Sequence, residues 1–418
     1  MTDQTSIEGR VLKTLETIPQ ISLVTARFGL AVSGGGDSIA MLHLMVDVVG
    51  PRRLSVMCVN HGLRPEAAEE VALVEAQCAA LGIAFETREW RYDGTGNLQA
   101  AARAGRWDVL RTWAEEQAFD AVLMGHTADD EVETFLMRFS RGSGVDGLSG
   151  MKVASMRDGV RIVRPLLQCG RAELRDWLTA REIVWADDPS NDDESYDRVK
   201  ARKMLDHLAE LGLTQKRVLQ TVAHMSDAAA IVDRAMLGFA KDHVVQEQGD
   251  LVFTTAFESQ ADKALLQRVL VAGLQWVSGT AYKPRLESVR DSVASALNGQ
   301  VVTLAGCVMI PEVGKLRLTR ELRACEGGIS PHETGETSWD GRWLVAGLKG
   351  NVNVINAVGE AGLAQCPDWR DAGLPRKSAM ATPAIWSDET LIAAPILGYG
   401  TGWSARIVAD FADWLVTH

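Results

Sequence analysis

Cysteine pairs are missing from this sequence of 418 residues. Its six cysteines lie far apart, and no two of them form a CxxC spacing. Such a distribution supports neither a disulfide framework nor a zinc site, and it is typical of buried or incidental thiols in a reducing compartment. Proteins that carry sulfur or an iron–sulfur cluster on paired cysteines are disfavoured for the same reason.

Long apolar runs are also missing. No stretch of about 18 consecutive apolar residues occurs, so we expect no membrane span. The first ten residues, MTDQTSIEGR, lack the basic and then apolar order of a secretory signal. These two absences predict a cytoplasmic protein that does not bind a membrane.

Positive charge is in deficit. The 43 lysines and arginines face 55 aspartates and glutamates, which gives a net charge of −12. This balance argues against a protein that coats nucleic acid nonspecifically, but not against an RNA substrate, because affinity follows local basic patches. Arg198, Lys200, Arg202 and Lys203 form one such patch. It either contacts RNA or is a solvated helix face.

The N-terminal half alternates between strand and helix patterns, which places the chain in the α/β class. We predict strands at residues 30–32, 54–60, 83–90 and 121–124, and helices at 66–81, 98–117, from 128, and at 172–180. Arg164-Pro165-Leu166-Leu167 is predicted to begin a further edge of the sheet. Alternation at this spacing predicts a parallel sheet with helices on both faces. Ligands of such sheets bind beyond the C-terminal strand ends, where Ser33, His61 and His126 fall.

A glycine-rich turn joins the first predicted strand to its helix. Gly34, Gly35 and Gly36 lie between Ser33 and Asp37-Ser38, and they let the backbone approach a phosphate at the positive end of the helix dipole. No lysine follows, so the turn is not of the Walker type. A carboxylate beside a polyphosphate needs a cation between them, and Asp37 therefore predicts Mg²⁺. The alternative is an ordinary βα turn.

An acidic helix start is the second chemical feature. In the segment TADDEVETFLMRFS, the carboxylates of Asp129, Asp130 and Glu133 share one arc of the helix. They either complement the helix dipole or bind Mg²⁺ together with Asp37, and the position at a strand end beside the glycine turn favours the metal. The buried face is predicted to carry four apolar residues: Val132, Phe135, Leu136 and Phe139.

Two polar segments follow this helix. The stretch 141–151, RGSGVDGLSGM, is either a mobile substrate-binding loop or a plain connector. The acidic turn 187–191 precedes a basic helix predicted at 196–208. The pair is either a structural clamp, or it recognises a cationic co-substrate with its acids and RNA phosphate with its bases.

Seven motifs in order make residues 28–205 resemble the tRNA(Ile)-lysidine synthetases, members of the N-type ATP pyrophosphatases. They are AVSGGGDS, VNHGLRPEA, AARAGRW, GHTADDEVET, RGSGVDGLSGM, RPLL and DDPSNDDESYDRVKAR. The first and fourth belong to the wider superfamily, whereas the DDPSN block and the Arg-Gly-rich loop are more specific. Gly36 departs mildly from the family, which often has an apolar residue there; no hydrogen-bond donor is lost.

The resemblance implies a two-step reaction and an adenine-nucleotide alpha-hydrolase-like, Rossmann-like catalytic domain. ATP with Mg²⁺ adenylates O2 of the wobble cytidine of a minor isoleucine tRNA, and the ε-amine of L-lysine then displaces AMP to give lysidine. A first alternative is a superfamily enzyme that acts on a small carboxylate or nucleotide. A second is a nucleotide-sensing RNA-binding protein without catalysis.

The same resemblance assigns residue roles. Catalytic roles fall to Asp37, Asp130, Glu133 and Arg103. Nucleotide binding falls to Ser33, Gly34, Gly35, Gly36, Asp37, Ser38, His61, Gly125 and His126. Metal binding falls to Asp37, Asp129, Asp130 and Glu133. Substrate binding falls to Arg106, Arg141, Asp188, Asn191, Arg198 and Arg202.

The length predicts two or three domains. We place them at 1–210 (catalytic), 211–330 (mostly helical and, by the resemblance, tRNA-contacting) and 331–418 (small, with short β segments). In the second we predict a helix after Thr214, helices at 262–276 and 284–297, and a hairpin of 301–304 with 316–319. In the third, Asp340-Gly341 predicts a tight turn. The third domain either binds tRNA or serves stability and assembly, and a homodimer is left open.

Overall fold

A computed structural model describes residues 5–60, 67–92, 94, 98–187, 197–254, 260–280, 283–325, 327–332, 335–347 and 354–417. The chain divides into two compact units, Met1–Ala230 and Ile231–His418. The domain boundaries at 210 and 330 stay predictions. No helix in the described ranges combines the length and the apolarity that crossing a bilayer requires. All six cysteines are free and buried.

A six-stranded sheet forms the centre of the first unit. Its order is β3-β2-β1-β4-β6-β5, with parallel neighbours except for β5, which pairs antiparallel to β6 at the edge. The strands are β1 (Phe28–Ala31), β2 (Leu54–Asn60), β3 (Ala84–Glu89), β4 (Ala121–Met124), β5 (Ala154–Arg157) and β6 (Val160–Val163). The strand order reverses between β1 and β4, and such a switch point opens a crevice at the C-terminal strand ends.

Helices cover both faces of this sheet. They are α1 (Ile7–Glu16), α2 (Gly36–Val49), α3 (Ala67–Leu81), α4 (Leu98–Gln117), α5 (Ala128–Phe139), α6 (Val145–Leu148), α7 (Arg171–Thr179) and α8 (Asp197–Ala209), while α9 (Gln215–His243) runs across the boundary between the units. Ile39, Met41, Leu42, Leu44 and Met45 of α2 are completely buried. The helix that carries the glycine turn is therefore fixed in the core. The predicted α/β fold is confirmed.

Two local predictions in the first unit are wrong, and both alternatives for 141–151 stay open. The sheet edge expected at 164–167 is a turn, because the strand β6 precedes it and ends at Val163. Phe139 is 62% exposed instead of buried, since α5 ends there and the ring stacks on Phe135 with centroids 5.9 Å apart. The stretch 141–151 contains the short helix α6.

A five-stranded antiparallel sheet, in the order β7-β8-β11-β10-β9, organises the first part of the second unit. The strands are β7 (Val244–Glu247), β8 (Asp250–Thr254), β9 (Val302–Leu304), β10 (Cys307–Glu312) and β11 (Lys315–Arg320), and α10 (Gln260–Ser278) and α11 (Leu286–Leu297) pack on them. The hairpin predicted from 301–304 and 316–319 is wrong, because β10 lies between β9 and β11. Pro311 hid this strand, since proline disfavours a central strand.

The rest of the second unit contains two three-stranded sheets and short helices. The sheets are β12 (Glu336–Trp339), β13 (Trp343–Gly347) and β17 (Trp403–Ile407), and β14 (Val354–Ala357), β15 (Pro383–Ser387) and β16 (Thr390–Ala393). The helices are α12 (Leu322–Cys325), α13 (Gly359–Gln365), α14 (Arg376–Met380) and α15 (Phe411–Thr417). Trp339 pairs with Trp343 across a tight turn, which confirms the turn predicted at Asp340-Gly341.

Candidate active site

The glycine turn closes the gap between β1 and α2. Gly34 has φ +90°, which L side chains rarely adopt, and its carbonyl oxygen accepts a hydrogen bond from Ala186 N at 2.9 Å. Ser38 Oγ donates to Gly35 O at 2.8 Å and accepts from Ser33 N at 3.1 Å. No described side chain caps α2, so its first N–H groups are available to an anion.

Gly125 brings the end of β4 against this turn. A Cβ at this position would lie 3.2 Å from Asp37 O and 3.2 Å from Ser38 Cα, closer than most real contacts. A side chain here would therefore push β4 and the glycine turn apart. The predicted neighbourhood of Gly125 and the glycine turn is confirmed.

The start of α5 is held by its own first carboxylates. Thr127 is the N-cap: its Oγ1 accepts from Asp130 N at 3.4 Å and Asp130 Oδ2 accepts from Thr127 N at 2.8 Å, which forms a capping box. Thr127 Oγ1 also donates to Asp130 Oδ2 at 2.9 Å. Asp129 Oδ2 accepts from Arg171 N at 2.7 Å and so binds the start of α7. Both aspartates thus have structural bonds in addition to any chemical role.

Arg171 connects the two predicted halves of the site. Its Nε donates to Asp37 Oδ2 at 3.0 Å, while Nη1 lies 3.4 Å from Glu133 Oε1 and Nη2 lies 3.5 Å from Asp130 Oδ1. Arg202 Nη2 donates to the same Glu133 oxygen at 2.8 Å. Asp37 and the acidic helix start therefore face one shared position, as the sequence predicts.

We call Asp37, Asp129, Asp130 and Glu133 together the acidic cluster. Burial and neighbouring charges both shift the pKa values of the groups in and around it. Burial raises the pKa of Asp37, and the nearby charges of Asp130 and Asp129 add to that rise, while Arg171 opposes it. Burial lowers the pKa of Arg171, but Asp37, Asp130 and Glu133 outweigh it and raise that pKa above its ordinary value. The cluster thus strongly favours a bound cation.

A family model for the PP-loop domain matches residues 4–208, the part of the chain that holds this site. A tRNA(Ile)-lysidine synthase from Ruegeria pomeroyi is 39% identical over 399 residues, covering 94% of this chain and 94% of that protein. The chain belongs to the tRNA(Ile)-lysidine synthase family. Two further synthases of that name are similar: one from Wolbachia pipientis wMel (30% identity, 88% of each chain) and one from Anaplasma marginale (31%, 81% of this chain and 74% of that one).

On the other side of this synthase-family site, arginines surround His126. The pKa of His126 is lowered to about 4: burial is the main cause, the charge of Asp130 opposes it, and the positive charges of Arg164, Arg198 and Arg106 add to the lowering. His126 Nδ1 is buried and makes no hydrogen bond to any residue in the described ranges. The imidazole is therefore neutral at pH 7, and its buried Nδ1 is left without a partner among those residues.

The predicted arginines are divided between these two sides. Arg202 contacts the acidic cluster through Glu133, whereas the charge of Arg198 acts on His126 and on Arg103. Arg103 is exposed and Arg106 half-buried, and the partial loss of hydration around each guanidinium group lowers its pKa. Arg141 is exposed and pairs with Asp197 at 3.2 Å. His61, Asp188 and Asn191 lie outside the described residues.

The prediction from sequence missed Arg171 and Arg164. Arg171 is the first residue of α7, where the helix dipole disfavours a cation. That mismatch between a basic residue and a predicted helix start was a usable signal. Arg164 gave no such signal, because it follows a strand that the sequence pattern had not revealed.

The described side chains do not form a complete metal site by themselves. Across the described part of the chain, no group of three or more His, Cys, Asp or Glu side chains is positioned to hold a metal ion. Mg²⁺ is commonly held by only one or two carboxylates together with substrate phosphates. Asp37 and Asp130 fit that requirement, because they already share a cation in Arg171.

Proposed function

We propose that this chain uses ATP to adenylate the wobble cytidine of a minor isoleucine tRNA and joins L-lysine to it, releasing AMP and pyrophosphate. Membership of the synthase family supports the reaction class. The observation that carries the proposal is the shared position between Asp37 of the glycine turn and the carboxylates of α5. A nucleotide-activating enzyme needs this juxtaposition of a phosphate cradle and a cation site.

The phosphates of ATP would bind at the glycine turn. The open N–H groups of α2 and the hydroxyl group of Ser33 are the donors, and the helix dipole favours the negative charge. The hydroxyl group of Ser38 would join them by leaving its bond to Gly35 O. Mg²⁺ would be held by Asp37 and Asp130, where it would supply charge that stabilises departing pyrophosphate. Asp129 is less suited to the metal, since it contacts the backbone of Arg171, whereas Asp130 Oδ1 faces the guanidinium group.

The second step needs a base and a cation-binding group for lysine. Glu133 is 3% exposed and ionic partners hold it on two sides, which orients its carboxylate near the nucleotide position. We assign the proton transfer from the lysine amine to a carboxylate of α5, Asp130 or Glu133. Neutral His126 would contact a phosphate or a base edge at the end of β4.

Arg103, Arg106, Arg141, Arg198 and Arg202 belong to the proposal as contacts to the adenylate, lysine or tRNA. The side of the site around His126 is rich in guanidinium groups and suits phosphate. His61, Asp188 and Asn191 remain predictions from the resemblance. A cytoplasmic location and tRNA contacts by residues 211–330 are part of the same proposal, and a homodimer remains a prediction that sedimentation would test.

Mass spectrometry of tRNA tests the reaction most directly. We expect a lysine adduct on cytidine after incubation with ATP, L-lysine and the isoleucine tRNA, and pyrophosphate release that requires the tRNA. Release that ignores RNA and requires a small carbonyl compound would instead indicate an enzyme of another substrate class. ATP binding without any AMP would indicate a nucleotide-sensing binder.

Removal of one carboxylate tests the site. Asp37→Ala and Asp130→Ala are each expected to lower adenylation by about 10²–10³-fold, the typical effect of losing one group that stabilises the transition state. Binding of tRNA should survive in both variants. Asp47→Ala is the matched control, because Asp47 is an exposed aspartate of the same helix, α2. Full turnover by either site variant would contradict the assigned roles.

A further inference from the structure

The guanidinium group of Arg171 lies where the acidic cluster would accept a cation. It faces Asp37, Asp130 and Glu133 at 3.0, 3.5 and 3.4 Å, so only the bond to Asp37 is of ordinary hydrogen-bond length. The Arg171 side chain is 19% exposed, and that of Asp37 is 22% exposed. Two of the three contacts are therefore long, and the position is open to solvent on one side.

The location of Arg171 in its helix is electrostatically unfavourable. It is the first residue of α7, and a positive side chain at a helix N-terminus is opposed by the dipole. The backbone N–H of Arg171 is held by Asp129 Oδ2 at 2.7 Å, which fixes the base of the side chain. The protein thus anchors the backbone firmly and leaves the guanidinium group to the looser contacts.

Charge balance explains what the guanidinium group does there. Three carboxylates of the acidic cluster contact the guanidinium group of Arg171, and Arg202 adds a second contact to Glu133. Without Arg171, no counter-ion among the described residues would pair with the carboxylates of Asp37 and Asp130. Their mutual repulsion would then favour any cation that could enter.

We propose that Arg171 is a positioning residue that occupies the cation position of the acidic cluster until nucleotide arrives. A divalent cation must displace the guanidinium group from Asp37 and Asp130, and it does so only when triphosphate oxygens supply further ligands. Metal entry is thereby coupled to ATP entry. This inference rests on the proposed function in one respect, that Asp37 and Asp130 receive the metal.

Manganese binding to the nucleotide-free, full-length protein tests this inference. Free Mn²⁺ is measured by electron paramagnetic resonance, with no tRNA or lysine present. The unaltered protein should bind Mn²⁺ tightly only when a non-hydrolysable ATP analogue is added. Arg171→Met should bind Mn²⁺ without nucleotide, with an affinity at least tenfold higher than that of the unaltered protein, and Arg171→Lys should fall between the two.

Controls separate this effect from a general change of charge. Arg175→Met removes a guanidinium group from the same helix, where it pairs with Asp187 at 3.4 Å and is 45% exposed, and it should leave Mn²⁺ binding unchanged. Adding Asp37→Asn to Arg171→Met should abolish the gain. Circular dichroism verifies that each variant is folded. If Arg171→Met fails to fold, the comparison of Arg171→Lys with the unaltered protein decides.

Two results would overturn the inference. One is tight Mn²⁺ binding by the unaltered protein without nucleotide, and the other is no gain in the folded Arg171 variants. If lysidine forms but no gain occurs, this inference fails and the proposed function stands. If no lysidine forms but the gain occurs, the proposed function fails and the role of Arg171 stands.

Discussion

Each unit of the molecule contains one arginine that faces three carboxylates, and the two clusters differ in tightness. In the first unit Arg171 faces Asp37, Asp130 and Glu133 at 3.0–3.5 Å. In the second unit Arg317 faces Glu312, Glu247 and Asp250 at 2.6, 2.7 and 3.1 Å. The Arg317 side chain is 7% exposed, compared with 19% for Arg171. By contact length and by the exposure of the guanidinium group, we call the Arg317 cluster closed and the Arg171 cluster open. The carboxylates follow the opposite order, at 30%, 39% and 6% exposed around Arg317 and 22%, 11% and 4% around Arg171.

The backbone around each cluster explains the difference. Arg317 lies in β11, paired with Val252 of β8 and Ile310 of β10, so ladder hydrogen bonds fix it on both sides. Arg171 is at a helix start, and its partners sit at the starts of two other helices, α2 and α5. Helix starts leave N–H groups without partners, and a ligand can satisfy them. Composition therefore does not distinguish a binding cluster from a structural one, but the supporting backbone does.

Replacing each arginine by methionine should separate the two clusters most clearly. Arg317→Met leaves the buried carboxylate of Asp250 without its ion-pair partner, and we expect it to lower the free energy of unfolding of the second unit by about 3–5 kcal/mol. Arg171→Met should cost clearly less, since the contacts of Arg171 are longer and Arg202 still pairs with Glu133. Urea unfolding followed by circular dichroism measures both. Equal losses would contradict the distinction between a closed and an open cluster.

His126 gives the first unit a pH dependence of its own. Burial lowers the pKa of this imidazole to about 4 in the folded state, against 6.5 for the unperturbed group. Between these values the unfolded chain binds the proton and the folded chain does not, so stability falls as the pH drops from 6.5 towards 4. Below pH 4 the total loss in the free energy of unfolding is about 3 kcal/mol, and above pH 6.5 there is no loss.

Thermal unfolding of the unaltered protein and of His126→Gln across that pH range checks this expectation. The variant should lose less stability on acidification than the unaltered protein. Parallel curves for the two proteins would show that His126 does not titrate as its burial requires.

The pattern of residues was sufficient for the elements that place the site. Strands β2 and β4 and helix α4 have the predicted bounds, because each is a clear apolar or amphipathic run between breakers. The fold class and the convergence of Asp37 with the acidic helix followed from the alternation of strands and helices. These features depend on local sequence, which is why local sequence revealed them.

The missed features depend on contacts between distant segments. Arg171 is 134 residues from Asp37 in the chain, and nothing in its local sequence specifies that partner. Strand β6 has four residues and follows a turn at Asp158-Gly159 with φ values of +48° and +81°. Such a short run gives a weak periodic signal. The sequence showed the carboxylates at the start of α5, but it did not show that Arg171 neutralises them.

Glu131 extends the comparison to a buried, hydrogen-bonded carboxylate within the first unit. It lies between Asp130 and Glu133 on α5 but accepts two bonds from Met151 N, at 2.9 and 3.1 Å, and is 5% exposed. Arg138 of the same helix donates to Gly147 O and Gly150 O, so the loop 141–151 is held at its C-terminal end.

Glu131→Leu should lower the free energy of unfolding of the first unit by about 1–3 kcal/mol, because it leaves the N–H of Met151 without a partner. Glu131→Gln keeps an acceptor and should recover most of that loss. Chemical unfolding measures both. If leucine is tolerated as well as glutamine, the loop does not depend on this bond.

Arg141 should show the smallest effect on stability, because its ion pair is far more exposed than those of Arg171 and Arg317. Its pair with Asp197 is 3.2 Å long, and the two side chains are 65% and 60% exposed. Arg141→Ala should therefore change the free energy of unfolding by less than about 1 kcal/mol. If Arg141 contacts a tRNA phosphate, the variant should bind tRNA more weakly, and the slope of log affinity against log salt should fall by about 1. Arg91→Ala, which removes another exposed, ion-paired arginine, is the control. An unchanged salt slope in Arg141→Ala would assign this arginine to the surface and not to the tRNA interface.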